Sequence, residues 1–108
     1  MRFVETPVFT ARLGAYLNDD SYRALQFALV LRPEQGSLIP RSGGLRKLRW
    51  GAEGRGKRGK RGGLRLIYHW DARRETAYML FVYAKNEQGD LTPAQVKTLA
   101  RIVREELG

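Results

Sequence analysis

The sequence predicts a small α+β domain with the element order β-α-α-β-β-β-α. Three observations carry this. Residues 6–32 hold two apolar stripes at helical spacing, separated by Asn18-Asp19-Asp20-Ser21. Residues 45–85 alternate with period two across three separate runs. Residues 92–107 return to helical spacing. Helices at both ends of a run of strands define the class. Short connections between the strands favour an antiparallel meander.

The elements follow in order. Phe3 and Val4 mark a short first strand within residues 2–5. Thr6-Pro7 starts a helix, with Thr as N-cap and Pro at the first helical position. Phe9, Leu13, Tyr16 and Leu17 give it one apolar face. A second helix runs from about Ser21 to Arg32, ended by Pro33 and Gly36. The two read as a helical hairpin, and residues 33–43 read as loop. Over residues 45–50, Leu45, Lys47 and Arg49 point one way, and Arg46, Leu48 and Trp50 the other. Residues 51–63 form a glycine-basic loop. In residues 64–71, Leu64, Leu66, Tyr68 and Trp70 share one face, and Arg65, Ile67, His69 and Asp71 the other. A turn at 72–75 leads to a strand over 76–85. Its even positions, Tyr78, Leu80, Val82 and Ala84, form an apolar face expected to meet the helices; its odd positions turn polar toward Tyr83 and Lys85. Thr92-Pro93-Ala94-Gln95 is a capping box for the last helix, with Val96, Leu99, Ala100, Val103 and Leu107 as its stripe.

Length and composition bound the function. The 108 residues make one domain, 1–108. There is no cysteine and one histidine, so no zinc or thiolate site is expected, and no cofactor. No apolar run approaches the roughly 20 residues of a membrane span, and residues 1–9 lack a signal-peptide pattern. The expectation is a cytoplasmic protein without a membrane partner. Residues 41–65 carry ten Lys or Arg against Glu53 alone, hence the whole net charge of +9. They also hold eight of the twelve glycines. Charge concentrated this way suggests a polyanion, most simply nucleic acid. The alternative is a solvated basic loop that maintains solubility.

Strands paired in register gather Lys47, Arg49, Arg65, His69, Tyr83 and Lys85 on the face opposite the helices. Cations grouped on a rigid sheet suit a phosphodiester and the charge that develops on it, and phenol rings suit a base. The plainer reading is a solvated sheet face. Arg46 and the loop cations Arg55, Lys57, Arg58, Lys60 and Arg61 are the expected nucleic-acid contacts. A P-loop reading of residues 54–60 fails because Arg61 replaces the Ser or Thr it needs. His69 is either a general acid or base or a strand residue with one satisfied hydrogen bond. No carboxylate pair has metal spacing.

At GGLRKLRW (43–50), RGGLRLIYHW (61–70) and VYAKNEQGDLTPAQ (82–95), the chain resembles the HigB branch of the RelE/ParE toxin superfamily. The resemblance covers nearly the whole chain. It implies a RelE-like fold: a small antiparallel sheet with an N-terminal helical hairpin on one face, and a C-terminal helix. It also implies a type II toxin: a metal-independent endoribonuclease that cleaves mRNA in the ribosomal A site by 2′-hydroxyl attack. The implied partners are mRNA, 16S rRNA and a HigA-like helix-turn-helix antitoxin in a bacterial cytoplasm. Lys47 and Arg49 match the paired cations of the family's second strand, Arg65 the arginine opening its third, and Lys85 the cation ending its last. Arg65 and Lys85 are assigned to phosphate and transition-state charge, and Lys47 to proton acceptance. Tyr83 ranks above Tyr68 for stacking, since Tyr68 falls on the core side. Some family members carry a catalytic tyrosine or histidine near the C-terminus. This chain has neither after Tyr83, leaving His69 or Lys85 as the general acid. The competing functions are a ParE-like inhibitor of DNA gyrase and a non-catalytic nucleic-acid-binding relative.

Overall fold

The computed structural model describes residues 1–51 and 63–107. Its elements are β1 (Arg2–Glu5), α1 (Pro7–Leu13), α2 (Asp19–Leu31), β2 (Ser37–Leu38), β3 (Leu45–Trp50), β4 (Leu64–Asp71), β5 (Thr76–Ala84) and α3 (Pro93–Ile102). A wide π turn over Val103–Leu107 extends α3. Five strands form one sheet in the order β1-β5-β4-β3-β2. The α+β class and the β3-β4-β5 meander match the sequence expectation. The sheet as a whole does not, because it is mixed: β1 lies parallel to β5. The meander leaves one edge of β5 open, and the N-terminal strand fills it. A four-residue run does not encode strand direction.

Capping explains where the helices start. Thr6 Oγ1 accepts from the Phe9 N–H at 3.1 Å and donates to the Leu80 carbonyl at 3.0 Å, joining α1 to β5. Asn18 caps α2 by accepting from the Ser21 N–H at 2.8 Å, so that helix begins two residues before Ser21. The first helix ends at Leu13 rather than near Leu17. Tyr16 and Leu17 reach the core from the turn that follows, their N–H groups bonded to the Leu13 carbonyl. Thr92 and Gln95 close the capping box of α3. Ser37–Leu38, expected as loop, pairs with Lys47 and Arg46 as an edge strand too short to show alternation.

Both faces of the sheet are covered. Phe9, Leu17, Leu25 and Leu29 of the hairpin region pack on Leu48, Leu66, Tyr68, Ala77, Met79 and Val82. On the other face, Leu99 and Val103 pack with Leu45, Ile67, Tyr78 and Leu80. The expected open cationic face is therefore confined to the end that α3 leaves free.

A bulge explains why the alternation of β5 misled. Ile67 pairs with Phe81 but Tyr68 pairs with Met79, leaving Leu80 as an extra residue. Such an insertion shifts the side-chain phase. Ala77, Met79, Val82 and Ala84 face the hairpin, whereas Tyr78, Leu80 and Tyr83 belong to the core under α3. The predicted Tyr78/Leu80/Val82 face is thus split between the two sides. The bulge sits where β1 ends: the Thr6 N–H donates to the Met79 carbonyl at 3.0 Å. Beyond it, the Arg12 Nε donates to the Val82 carbonyl at 2.7 Å, satisfying the strand edge that β1 no longer covers.

Candidate nucleic-acid interface

The register places Arg49, Arg65 and Tyr83 in one row across β3, β4 and β5. Lys47 leads the next row, followed by Ile67 and Phe81. Like charges directly opposite on neighbouring strands destabilise a sheet, so the Arg49–Arg65 pair works against the fold unless an anion joins it. Lys85 follows directly after β5 and is exposed, its backbone N–H bonded to the Gly63 carbonyl at 2.9 Å.

Arg65 is the unusual member. It is only 9% exposed. Its one side-chain hydrogen bond among the described residues is a 3.3 Å contact to the neighbouring Leu64 carbonyl. No carboxylate among the described residues lies within 4 Å of it. Buried charges are ordinarily paired. Beside it Tyr83 is wholly buried in the core under α3, which leaves no open ring face for the stacking expected of it; its hydroxyl makes no hydrogen bond within 3.5 Å among the described residues, although the Asp90 carboxylate is near enough to act on it. Burial raises that phenol above its ordinary pKa, the Asp90 carboxylate adds to the rise, and the Arg65 guanidinium opposes it. Among the described residues the guanidinium and the hydroxyl have one carboxylate nearby, Asp90, which already serves Lys47 and the Leu91 N–H, so this donor set is short of close acceptors. A phosphate oxygen supplies what both need.

Asp90, in the loop before α3, was not singled out from the sequence. Its Oδ1 accepts from Lys47 Nζ at 3.2 Å and from the Leu91 N–H at 2.9 Å. The Leu91 N–H, then Lys47 and Arg65, hold its carboxyl below the ordinary value against partial burial. The missed signal is an acid placed between a cationic strand end and a helix start. The pair is lopsided in exposure, with the Lys47 side chain 24% and the Asp90 side chain 70% exposed. In this state Lys47 is a donor, which opposes the proton-accepting role expected of it.

The remaining candidates lie elsewhere. His69 stands four residues along β4 from Arg65, roughly 13 Å at strand rise. It stacks on Tyr78 at 6.2 Å, and its Nδ1 is 3.2 Å from the Gly44 carbonyl. Gly44 has φ +104°, and a Cβ there would sit 3.2 Å from that nitrogen, so the loop needs glycine. Tyr68 is wholly buried on the hairpin side; its hydroxyl donates to the Pro33 carbonyl at 2.7 Å and accepts from the Gly36 N–H at 3.0 Å. Arg46 is occupied with the Glu34 and Gly36 carbonyls at 2.9 and 2.7 Å, holding the loop before β2. Arg55, Lys57, Arg58, Lys60 and Arg61 lie outside the described residues.

Among the described residues, no group of three His, Asp or Glu side chains is placed to hold a metal. Among the same residues, no helix is long and apolar enough to cross a membrane. No family model matches the chain.

Proposed function

We propose that the protein is a type II toxin that binds mRNA through the Arg49–Arg65–Tyr83 row and cleaves it as an endoribonuclease on the ribosome. The observation that carries this reading is the buried Arg65 guanidinium with no carboxylate within 4 Å among the described residues. In the proposed reaction, Arg65 and Arg49 bind the scissile phosphate. Attack by the adjacent 2′-hydroxyl forms the new P–O bond and expels the 5′-oxygen, giving a 2′,3′-cyclic phosphate and a 5′-hydroxyl end. The arginines then stabilise the charge gathered on the phosphoryl oxygens. For Lys47 to accept the 2′-hydroxyl proton, the incoming strand must first part it from Asp90. Lys85 is the candidate donor to the leaving oxygen. The accompanying partners are A-site mRNA, 16S rRNA and a helix-turn-helix antitoxin.

The Lys47–Asp90 pair favours a second reading, in which the row binds a phosphodiester without cleaving it. One experiment separates the two. Translating ribosomes programmed with a defined mRNA are treated with wild type, Arg65→Ala or Lys47→Ala, and the RNA ends are mapped. Cleavage by wild type alone, leaving 5′-hydroxyl ends, supports the enzyme. Intact mRNA with retained RNA binding supports the second reading. Intact mRNA without Arg65-dependent binding removes both.

A further inference from the structure

We propose that a nucleobase of the bound strand enters the cavity between the β2–β3 edge and the start of α3, beside Lys47 and Arg49. The inference rests on the RNA reading and names where that site reads the strand.

The cavity measures about 550 Å³, within the range of small-ligand sites. Its lining joins two chemistries. Leu38 and Ile39 on one side, with Leu91 and Val96 on the other, supply apolar surface suited to a planar ring. Lys47 and Arg49 belong to the same lining. Arg49 is also paired in register with Arg65. A nucleotide whose phosphate sits on the arginines therefore has its ring within reach of the cavity.

Two further features fit a base. The β2 pairing covers only Arg46 and Lys47 of β3. Among the described residues, no strand pairs with 48–50 on that side, so backbone N–H and C=O groups remain for a ring edge. Leu38 is 59% exposed on the edge strand, beside cations. A large exposed aliphatic there gains by covering a ring.

The test uses the full chain and a short single-stranded RNA, compared with the same RNA carrying one abasic ribose at each position in turn. Affinities are measured at low salt for wild type, Leu38→Trp, Val96→Trp and Arg65→Ala. The expected result is one abasic position that weakens wild-type binding about tenfold. Both tryptophan variants, which fill the cavity, weaken the intact RNA by a similar factor and no longer distinguish it from that abasic form. Leu38 is exposed, so its variant tests the cavity even if Val96→Trp does not fold. Equal affinity for every abasic form, or filled variants that bind like wild type, overturns the base cavity. If Arg65→Ala still loses binding in that case, the phosphate reading survives. If Arg65→Ala binds like wild type, or wild type does not bind, both fall.

Discussion

Replacing Arg65 with methionine is predicted to make the protein more stable and less able to bind RNA. The side chain is 9% exposed, and its hydrogen bond among the described residues is a 3.3 Å contact to the adjacent carbonyl. A buried ion costs several kcal/mol even after the protein relaxes around it, and apolar replacements of buried ionic groups often gain about 1–4 kcal/mol. Methionine keeps most of the packed stem and removes the charge opposite Arg49. We take the lower half of that range, about 1–2 kcal/mol, because Tyr83 and Asp90 already offset part of the cost. For a domain of this size each kcal/mol moves the melting temperature by about 4–8 °C. Thermal unfolding of wild type and Arg65→Met, with and without a short RNA, measures both effects. Wild type should melt lower alone and rise with RNA. The variant should melt higher alone and rise little. Its RNA affinity should fall about 100-fold and its salt dependence should lose about one phosphate contact. A variant that melts lower than wild type by 1 kcal/mol or more would refute the reasoning, because the guanidinium would then be a structural partner.

Four other outcomes follow from the same geometry. Tyr83→Phe should leave urea stability within about 0.5 kcal/mol, since its hydroxyl makes no close hydrogen bond among the described residues, while weakening RNA binding severalfold in the same titration used for Arg65. Tyr68→Phe should cost about 1–3 kcal/mol by orphaning the Gly36 N–H and the Pro33 carbonyl, with RNA affinity unchanged. Gly36→Ala should destabilise by about 2 kcal/mol or more, because its Cβ would lie 2.8 Å from the Tyr68 ring; denaturant midpoints decide both. Asp90 has a carboxyl held low by the Leu91 N–H and Lys47. Its contribution is complete above the unfolded value of about 3.9 and is lost as pH falls through the lower folded value. Asp90→Asn should flatten that part of the acid-stability curve by less than about 1 kcal/mol and tighten RNA binding severalfold by freeing Lys47. Weaker binding by this variant would show that Asp90 positions Lys47 rather than masking it.

Much of the fold was legible because its signals are local. Thr6-Pro7 and Thr92-Pro93-Ala94-Gln95 announce helix starts through hydrogen bonds three residues long. The alternation of β3 and β4 correctly placed Arg49 with Arg65, and set Tyr68 apart from them. What escaped depends on distant contacts. The direction of β1 is decided by the free edge of β5, some 70 residues away. Arg46 is spent on carbonyls at Glu34 and Gly36, which nothing in its charge reveals. His69 is drawn to Gly44 and Tyr78 by the register. Asp90 escaped because its partner Lys47 lies 43 residues away in the chain.

The bulge at Leu80 ties the fold to the proposed site. Before it, Tyr78 faces α3; after it, Tyr83 stands beside Arg65 on the same side of the sheet. An unbroken alternation cannot place an even and an odd position of one strand on one face. Were these same residues to alternate without a bulge, a β5 that kept Tyr83 beside Arg65 would turn Tyr78 away from Leu99 and Val103. A β5 that kept Tyr78 there would turn Tyr83 into the hairpin core. The insertion lets one strand complete the hydrophobic core under α3 at one end and the cation row at the other.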